Sequence, residues 1–223
     1  MRGVFVTGTG TEVGKTVVAA AIARTFAAEG KRVGVFKPAV TGLDDEIDEG
    51  GGGAARPDHA VLRDAAGSTQ SDEQIAPYRY GPPMSPHLAA ELAGGEIEPE
   101  RLLSVARTAA ANTDTLVCEG VGGLMVPLSP GYLVRDLAVD LGLPLIVAAS
   151  PALGTINHTL LTIEAARAAG LAVAAVVLTP WPEQPSTIEE SNRETIARLG
   201  AVRVETLRQL ELADHASWPR LAL

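Results

Sequence analysis

One short segment does most to limit the folds open to this chain. An apolar run, Gly3 to Thr7, leads into Gly8-Thr9-Gly10-Thr11-Glu12-Val13-Gly14-Lys15-Thr16, and an alanine-rich stretch continues from Thr16 to Glu29 before Gly30. A strand, a glycine-rich loop ending in Gly-Lys-Thr and a helix, in that order, is the context of a phosphate-binding loop. Backbone N–H groups of such a loop and of the helix start face the phosphates. Lys15 then neutralises phosphate oxygens, the Thr16 hydroxyl is a Mg²⁺ ligand, and Gly10 and Gly14 allow close backbone approach. The alternative is a glycine-rich strand–helix turn with no ligand. The loop is also one residue too long. The common pattern puts four residues between its first glycine and Gly-Lys-Thr, which points to Thr9; the glycine stands one step earlier, at Gly8.

The rest of the chain repeats the strand–helix alternation. Arg32 to Phe36, residues 115–118, Leu145 to Ala149 and Leu171 to Leu178 read as strands, and helical stretches lie near 133–141 and 155–169. Ala201 to Val204 adds an edge strand. Near-continuous apolar strands separated by helices predict an α/β fold, a mostly parallel sheet with helices on both faces. No linker or internal repeat divides the chain, so residues 1–223 are expected to form a single P-loop NTPase-like domain. At 223 residues such a domain buries roughly 70% of its unfolded surface. Two segments interrupt the pattern. Asp44 to Gly53, acidic and then all glycine, predicts a mobile surface loop rather than a carboxylate metal cluster. Trp181 to Pro185 is a rigid, proline-rich loop, and residues 209–223 carry no assignment.

The formal charge of -9 argues against nucleic acid or an anionic membrane as partner, so an anionic substrate needs local positive charge. Cys118 is the sole cysteine, which excludes an intrachain disulfide and favours a reducing compartment. No secretory signal or transmembrane run is evident, and a cytoplasmic protein is expected.

Two charged residues stand at strand ends, where ligands bind in parallel sheets. Glu119 follows an apolar strand and precedes Gly120-Val121-Gly122-Gly123; it suits a second Mg²⁺ ligand in the manner of a Walker-B acid, or else caps a turn. Lys37 ends Arg32–Phe36 and would face the γ-phosphate if that strand lies near the first; a lone lysine there is otherwise solvated.

The motifs GTGTEVGKT, KPAVTG, CEGVGG and LGTINH, with Ser85-Pro86-His87 between the second and third, together resemble dethiobiotin synthetase from Val4 to about Leu178. That family carries the lengthened loop G-x5-G-K-T, matched by Gly8 to Thr16. The resemblance implies ATP- and Mg²⁺-dependent ring closure of 7,8-diaminopelargonic acid with CO₂, through a carbamate and a carbamic-phosphoric anhydride. It implies catalytic roles for Lys37, Lys15 and Thr11. It puts the nucleotide on Glu12, Val13, Gly14, Lys15, Thr16, Val17, Asp58, Glu119, Gly120, Val121, Gly122, Thr179 and Pro180. Thr16, Asp58 and Glu119 would hold Mg²⁺; read without the family, Asp58 is an ordinary helix-start acid. Val121 replaces the family's usual alanine. The diamine would meet Thr11, Lys37, Thr41 and Gly122, while Leu153, Gly154, Thr155 and Asn157 of a second subunit hold its carboxylate at a helix start. A homodimer with shared active sites follows from the resemblance alone. His87 and His158 have no derived catalytic role.

Two other classes share the architecture. A partitioning-type regulatory ATPase usually carries a second lysine near the start of its loop, where this chain has Thr9 and Gly10. A related amidoligase usually adds a glutamine-amidotransferase domain. One departure from the family concerns the base. The asparagine that pairs with adenine at the end of the fifth strand is Thr179 here, and Pro180 lacks an N–H. Trp181 offers a stacking surface, so weak discrimination among nucleoside triphosphates is expected.

Overall fold

The computed structural model describes residues 1–44, 56–210 and 218–221. The stretch expected as an acidic and glycine-rich loop lies outside the described residues beyond Asp44. β1 (Gly3–Gly8) runs into α1 (Lys15–Ala28), then β2 (Val33–Phe36) and the two-residue β3 (Ala39–Val40). After α2 (Asp58–Ala66), α3 (Asp72–Ile75), β4 (Tyr78–Arg79), α4 (Pro86–Leu92) and α5 (Pro99–Ala111), the chain returns to the sheet as β5 (Thr115–Gly123). A short antiparallel pair, β6 (Pro127–Ser129) and β7 (Tyr132–Leu133), precedes α6 (Val134–Leu141), β8 (Leu145–Ala149), α7 (Thr155–Ala168), β9 (Val173–Leu178), α8 (Thr187–Gly200) and β10 (Val204–Thr206).

The main sheet has the order β10-β9-β8-β1-β5-β2, with every neighbouring pair parallel. Period-two alternation decides which side chain goes to which face. Val4, Val6, Val33, Val35 and Val117 turn to one side, where α1, α2 and the late residues Leu207, Trp218 and Leu221 cover them. Phe5, Phe36, Leu116 and Cys118 turn to the other, against Leu102 and Ala106 of α5 and Leu137 of α6. Ile163 of α7 and Ile196 of α8 close the β8–β9 end of that second face. The strands are therefore apolar on both sides, as a covered parallel sheet requires. α1 is buried nearly all round, because Ala19, Ala20, Ala21 and Ala23 let it lie close to its neighbours. Trp218 and Leu221 belong to the protein's own core, and the Leu221 N–H donates to Thr25 Oγ1 at 3.0 Å. Among the described residues no helix is long and apolar enough to cross a membrane.

Several expected boundaries shift for local reasons. β5 continues past residue 118 to Gly123. β9 begins at Val173 rather than Leu171, since the amides of Gly170 and Leu171 close α7 by donating to Arg167 O and Ala166 O. That is a Schellman end with a glycine at positive φ, and Leu171 is its apolar partner. The last strand is Val204–Thr206, displaced from the expected 201–204 because Ala201 ends α8 in the left-handed region at φ 43°. β2 does not lie beside β1; β5 separates them. That order matters for the site, because Phe36 pairs with Cys118 and so sets the following residues level, Lys37 just past the end of β2 and Glu119 within β5.

Candidate active site

The loop between β1 and α1 absorbs its extra residue by backbone conformation. Glu12 sits at φ 56°, a region that residues other than glycine rarely adopt, and Gly14 at φ 82° is the N-cap of α1. A Cβ on Gly8 would meet Val13 Cγ2 at 2.7 Å and Gly10 O at 2.9 Å, so the loop folds tightly over this glycine. A Cβ on Gly14 would meet the Thr179 methyl at 2.5 Å. Gly10 has open space where a Cβ would stand, and its carbonyl accepts a hydrogen bond from Lys15 Nζ at 2.8 Å.

Beside this loop lies a compact charged cluster. Lys37 Nζ donates to Glu119 Oε1 at 2.6 Å and to Asp58 Oδ2 at 2.8 Å. Asp58 opens α2, and its other oxygen is 2.8 Å from Thr16 Oγ1, which is also 2.8 Å from Glu119 Oε1. Lys37 and Glu119 are buried, whereas Asp58 keeps part of its surface open. Burial draws the Lys37 pKa down, but Asp58 and Glu119 outweigh it and hold the ammonium well above its ordinary range. Burial pushes Glu119 upward against the opposing pull of Lys37 and Thr16. Burial also acts upward on Asp58, but Lys37 and the Thr16 hydroxyl keep it below the usual carboxylate range. Lys15 is lowered by burial, with Glu119 opposing. Glu119 Oε2 is buried with no partner among the described residues, an acceptor whose desolvation is uncompensated.

This donor set fits Mg²⁺. Two carboxylates and a hydroxyl converge, although no group of three or more His, Cys, Asp or Glu forms a metal cage among the described residues. Mg²⁺ is normally held by one or two carboxylates with substrate phosphates completing its shell, not by an all-protein cage.

A cleft of about 750 Å³ opens from the cluster. It gathers Thr11, Glu12, Gly14, Lys15, Thr16, Val17, Lys37, Thr41, Asp58, Glu119, Val121 and Gly122 from the expected residues. Others fall elsewhere. Val13 packs into the core under α1. Gly120 faces inward: a Cβ there would meet Val134 and Phe5 side chains at 3.0 and 3.1 Å. Thr179 is buried behind Gly14, and neither it nor Pro180 lines the cleft. Leu153 and the N-cap Gly154 lead into α7, which Thr155 and Asn157 open; all four lie outside this chain's cleft, with Leu153 92% exposed. Trp181 packs among Val147, Val176, Leu178 and Ile196, with the Arg193 guanidinium 5.8 Å from its ring, and also lines a separate cavity of about 610 Å³ with Pro182, Thr206 and Arg208.

Sequence reasoning missed one wall. Pro83, Met84, Ser85 and Pro86, with Ala39 and Val126, complete the cleft. The signal was present in Gly81-Pro82-Pro83-Met84-Ser85-Pro86, where Ser85 is the N-cap of α4 and Pro86 fills its first turn. His87 points instead into a separate cavity of about 170 Å³ with Glu91, Ile97 and Ser129.

Comparison with known proteins agrees with this geometry. A family model described as an AAA domain matches residues 2–212. The ATP-dependent dethiobiotin synthetase BioD of Bacillus subtilis is 36% identical over 204 residues, covering 92% of this chain and 85% of that protein. Its Bacillus cereus counterpart is 41% identical over 204 residues, covering 92% and 81%. The enzyme of Anaeromyxobacter dehalogenans is 43% identical over 200 residues, covering 89% and 86%. Among solved structures, a ParA family ATPase from Chlorobium tepidum TLS superposes with a TM-score of 0.53 at 14% identity, over 96% of this chain and 89% of that one. That last likeness is of the fold alone. The lengthened loop, the lysine and carboxylate beside it, and relatives of this identity over nearly the whole length together place the chain in the ATP-dependent dethiobiotin synthetase family.

Proposed function

We propose that this chain, whose relatives are named ATP-dependent dethiobiotin synthetases, closes the ureido ring of dethiobiotin from 7,8-diaminopelargonic acid, CO₂ and a nucleoside triphosphate. The observation that carries the reading is the convergence of Lys15, Lys37, Thr16, Asp58 and Glu119 on one cleft that also holds Thr11 and Thr41. One amine of the substrate takes up CO₂ to give a carbamate. A carbamate oxygen attacks the terminal phosphorus of the nucleotide, releasing the diphosphate. The neighbouring amine then attacks the carbamoyl carbon, phosphate leaves, and the ring closes. No step needs a covalent bond to the protein.

The protein's contribution is position and charge. Lys15, at the start of α1, faces the phosphates together with the N–H groups of the loop. Lys37 reaches between the carboxylates and the carbamate, where negative charge moves during transfer. Thr11 and Thr41 orient the diamine, and the Pro83–Pro86 wall excludes water from one side of the cleft. Thr16, Asp58 and Glu119 would hold Mg²⁺, which neutralises phosphate charge when bound. The start of α7 has no side-chain cap, and we assign it to the carboxylate tail of substrate in a partner's cleft within a homodimer.

The test is a reaction containing diaminopelargonate, bicarbonate and MgATP, with dethiobiotin detected by mass. Wild-type protein is expected to form it. Lys15→Ala is expected to lose ~10²–10³-fold in turnover, the usual effect of deleting one electrostatic stabiliser. Near-normal ring closure by the variant would remove the loop from the chemistry.

A further inference from the structure

The chain contains only three lysines, Lys15, Lys31 and Lys37, and two of them line one cleft. Elsewhere, Lys31 apart, the sequence uses arginine for permanent positive charge. Arginine's planar fork suits fixed bidentate pairing; lysine's ammonium is a compact point charge on a flexible stem. Lys37 uses that compactness fully. Its nitrogen sits 2.6 Å from Glu119 Oε1 and 2.8 Å from Asp58 Oδ2, while Thr16 Oγ1 stands 2.8 Å from an oxygen of each acid. The ammonium thus holds the two carboxylates together as a metal ion would. Lys15 makes a parallel contact, its ammonium turned back on the carbonyl of Gly10 in its own loop.

Mg²⁺ takes oxygen ligands at about 2.0–2.1 Å. A nitrogen already at hydrogen-bond distance from both carboxylates leaves no space for an ion between them, and the two cations would repel one another in a buried setting. We propose that the Lys37 ammonium and the divalent cation compete for the same oxygens of Asp58 and Glu119, so that Lys37 is a placeholder cation released when metal and nucleotide enter together. Three consequences follow. Divalent ions bind poorly without nucleotide. The carboxylates keep their spacing in the free protein despite their mutual repulsion. The released ammonium is delivered from its storage position to the reacting groups only when the nucleotide is in place. Glu119 Oε2, buried without a partner among the described residues, leaves the carboxylate with unmet acceptor capacity that an incoming ion would satisfy once the ammonium has left. This inference rests on the reading of Thr16, Asp58 and Glu119 as the divalent site.

The probe is Mn²⁺, with free ion counted by electron paramagnetic resonance. Wild-type protein and Lys37→Met are titrated without nucleotide and again with a non-hydrolysable ATP analogue. Expected is at least ~10-fold tighter Mn²⁺ binding by Lys37→Met without nucleotide, about 1.4 kcal/mol, and a smaller difference with the analogue. Equal or weaker binding by the variant without nucleotide overturns the competition while leaving the metal site standing. Absence of Mn²⁺ binding by wild type even with the analogue overturns the metal site and the inference with it. Lys37→Gln replaces Lys37→Met if the latter does not fold. Wild type supplies an independent readout: with three lysines, the ¹⁵N ammonium spectrum resolves Lys37. Its signal is expected to move with Mg²⁺ and analogue together and to stay fixed with Mg²⁺ alone. A signal unmoved by the pair refutes release.

Discussion

At the scale of single residues, Glu12 bears the conformational cost of the longer loop. A left-handed backbone at a residue other than glycine costs of order 1–3 kcal/mol and survives only where its surroundings dictate it. With φ at 56°, Glu12→Gly should relieve that strain, whereas the β-branched Glu12→Val should lose a further ~1–3 kcal/mol of stability. Thermal unfolding of the two variants measures the difference; equal midpoints would mean that the loop relaxes around this position. Thr179 raises a question of specificity. It replaces the asparagine that in the resemblance pairs with adenine, and its methyl is instead packed against Gly14. Backbone donors nearby are committed: the Thr179 N–H goes to Ala149 O at 2.9 Å and the Trp181 N–H to Leu207 O at 2.8 Å, with Pro180 between them having none. A bidentate amide contact is worth roughly 1–3 kcal/mol of base discrimination. Its loss predicts kcat/KM values for ATP, CTP and GTP within ~100-fold of each other, or ~2.7 kcal/mol. A larger preference for ATP would show that some other group reads the base.

At the scale of elements, β2 is an edge strand that carries a catalytic candidate at its end. Its open side is closed by one side chain. Gln70 Oε1 accepts from Val35 N at 2.9 Å and Gln70 Nε2 donates to Val35 O at 3.0 Å, the two bonds a neighbouring strand would supply. Gln70→Leu strips both from the buried Val35 and should cost about 1–3 kcal/mol. Urea unfolding checks it, and an unchanged midpoint would mean that water replaces the amide. Such features show why some elements were legible and others were not. β1, β2, β8 and the core of β5 announce themselves as apolar runs buried on both faces. α3 and α8 also had local signals, the capping boxes Ser71–Gln74 and Ser186–Glu189. They lacked the long apolar stripe that makes a helix conspicuous. The two-residue strands β3 and β4 have no signal of their own, because their pairing is made by tertiary neighbours rather than by local sequence.

At the scale of the whole molecule, the phosphate loop was readable because its chemistry is contiguous. The link between Lys37 and Glu119 was not, since it depends on β5 inserting between β1 and β2, and strand order is set by how the helices cover the sheet. Asp58 needed the family pattern for the same reason: only the packing of α2 on α1 carries it to Thr16. The start of α7 is the part of the expected site that this chain does not bring to its own cleft. Leu153, just before the N-cap of α7, is 92% exposed and Leu161 of α7 59% exposed, with Asn157 exposed between them. These two exposed leucines flanking a helix start with no side-chain cap suit contact with a second copy, whose cleft would then receive the free N–H groups of α7. If so, Leu153→Asp puts a charge into the contact without touching the core, so circular dichroism should be unchanged. Sedimentation should show a shift toward monomer, and ring closure should fall by at least ~10-fold, recovering as protein concentration rises. Asn157→Ala should remain dimeric and lose affinity for the diamine more than turnover. A Leu153→Asp monomer with full activity would confine the catalytic machinery to a single chain and return the α7 start to a purely structural role.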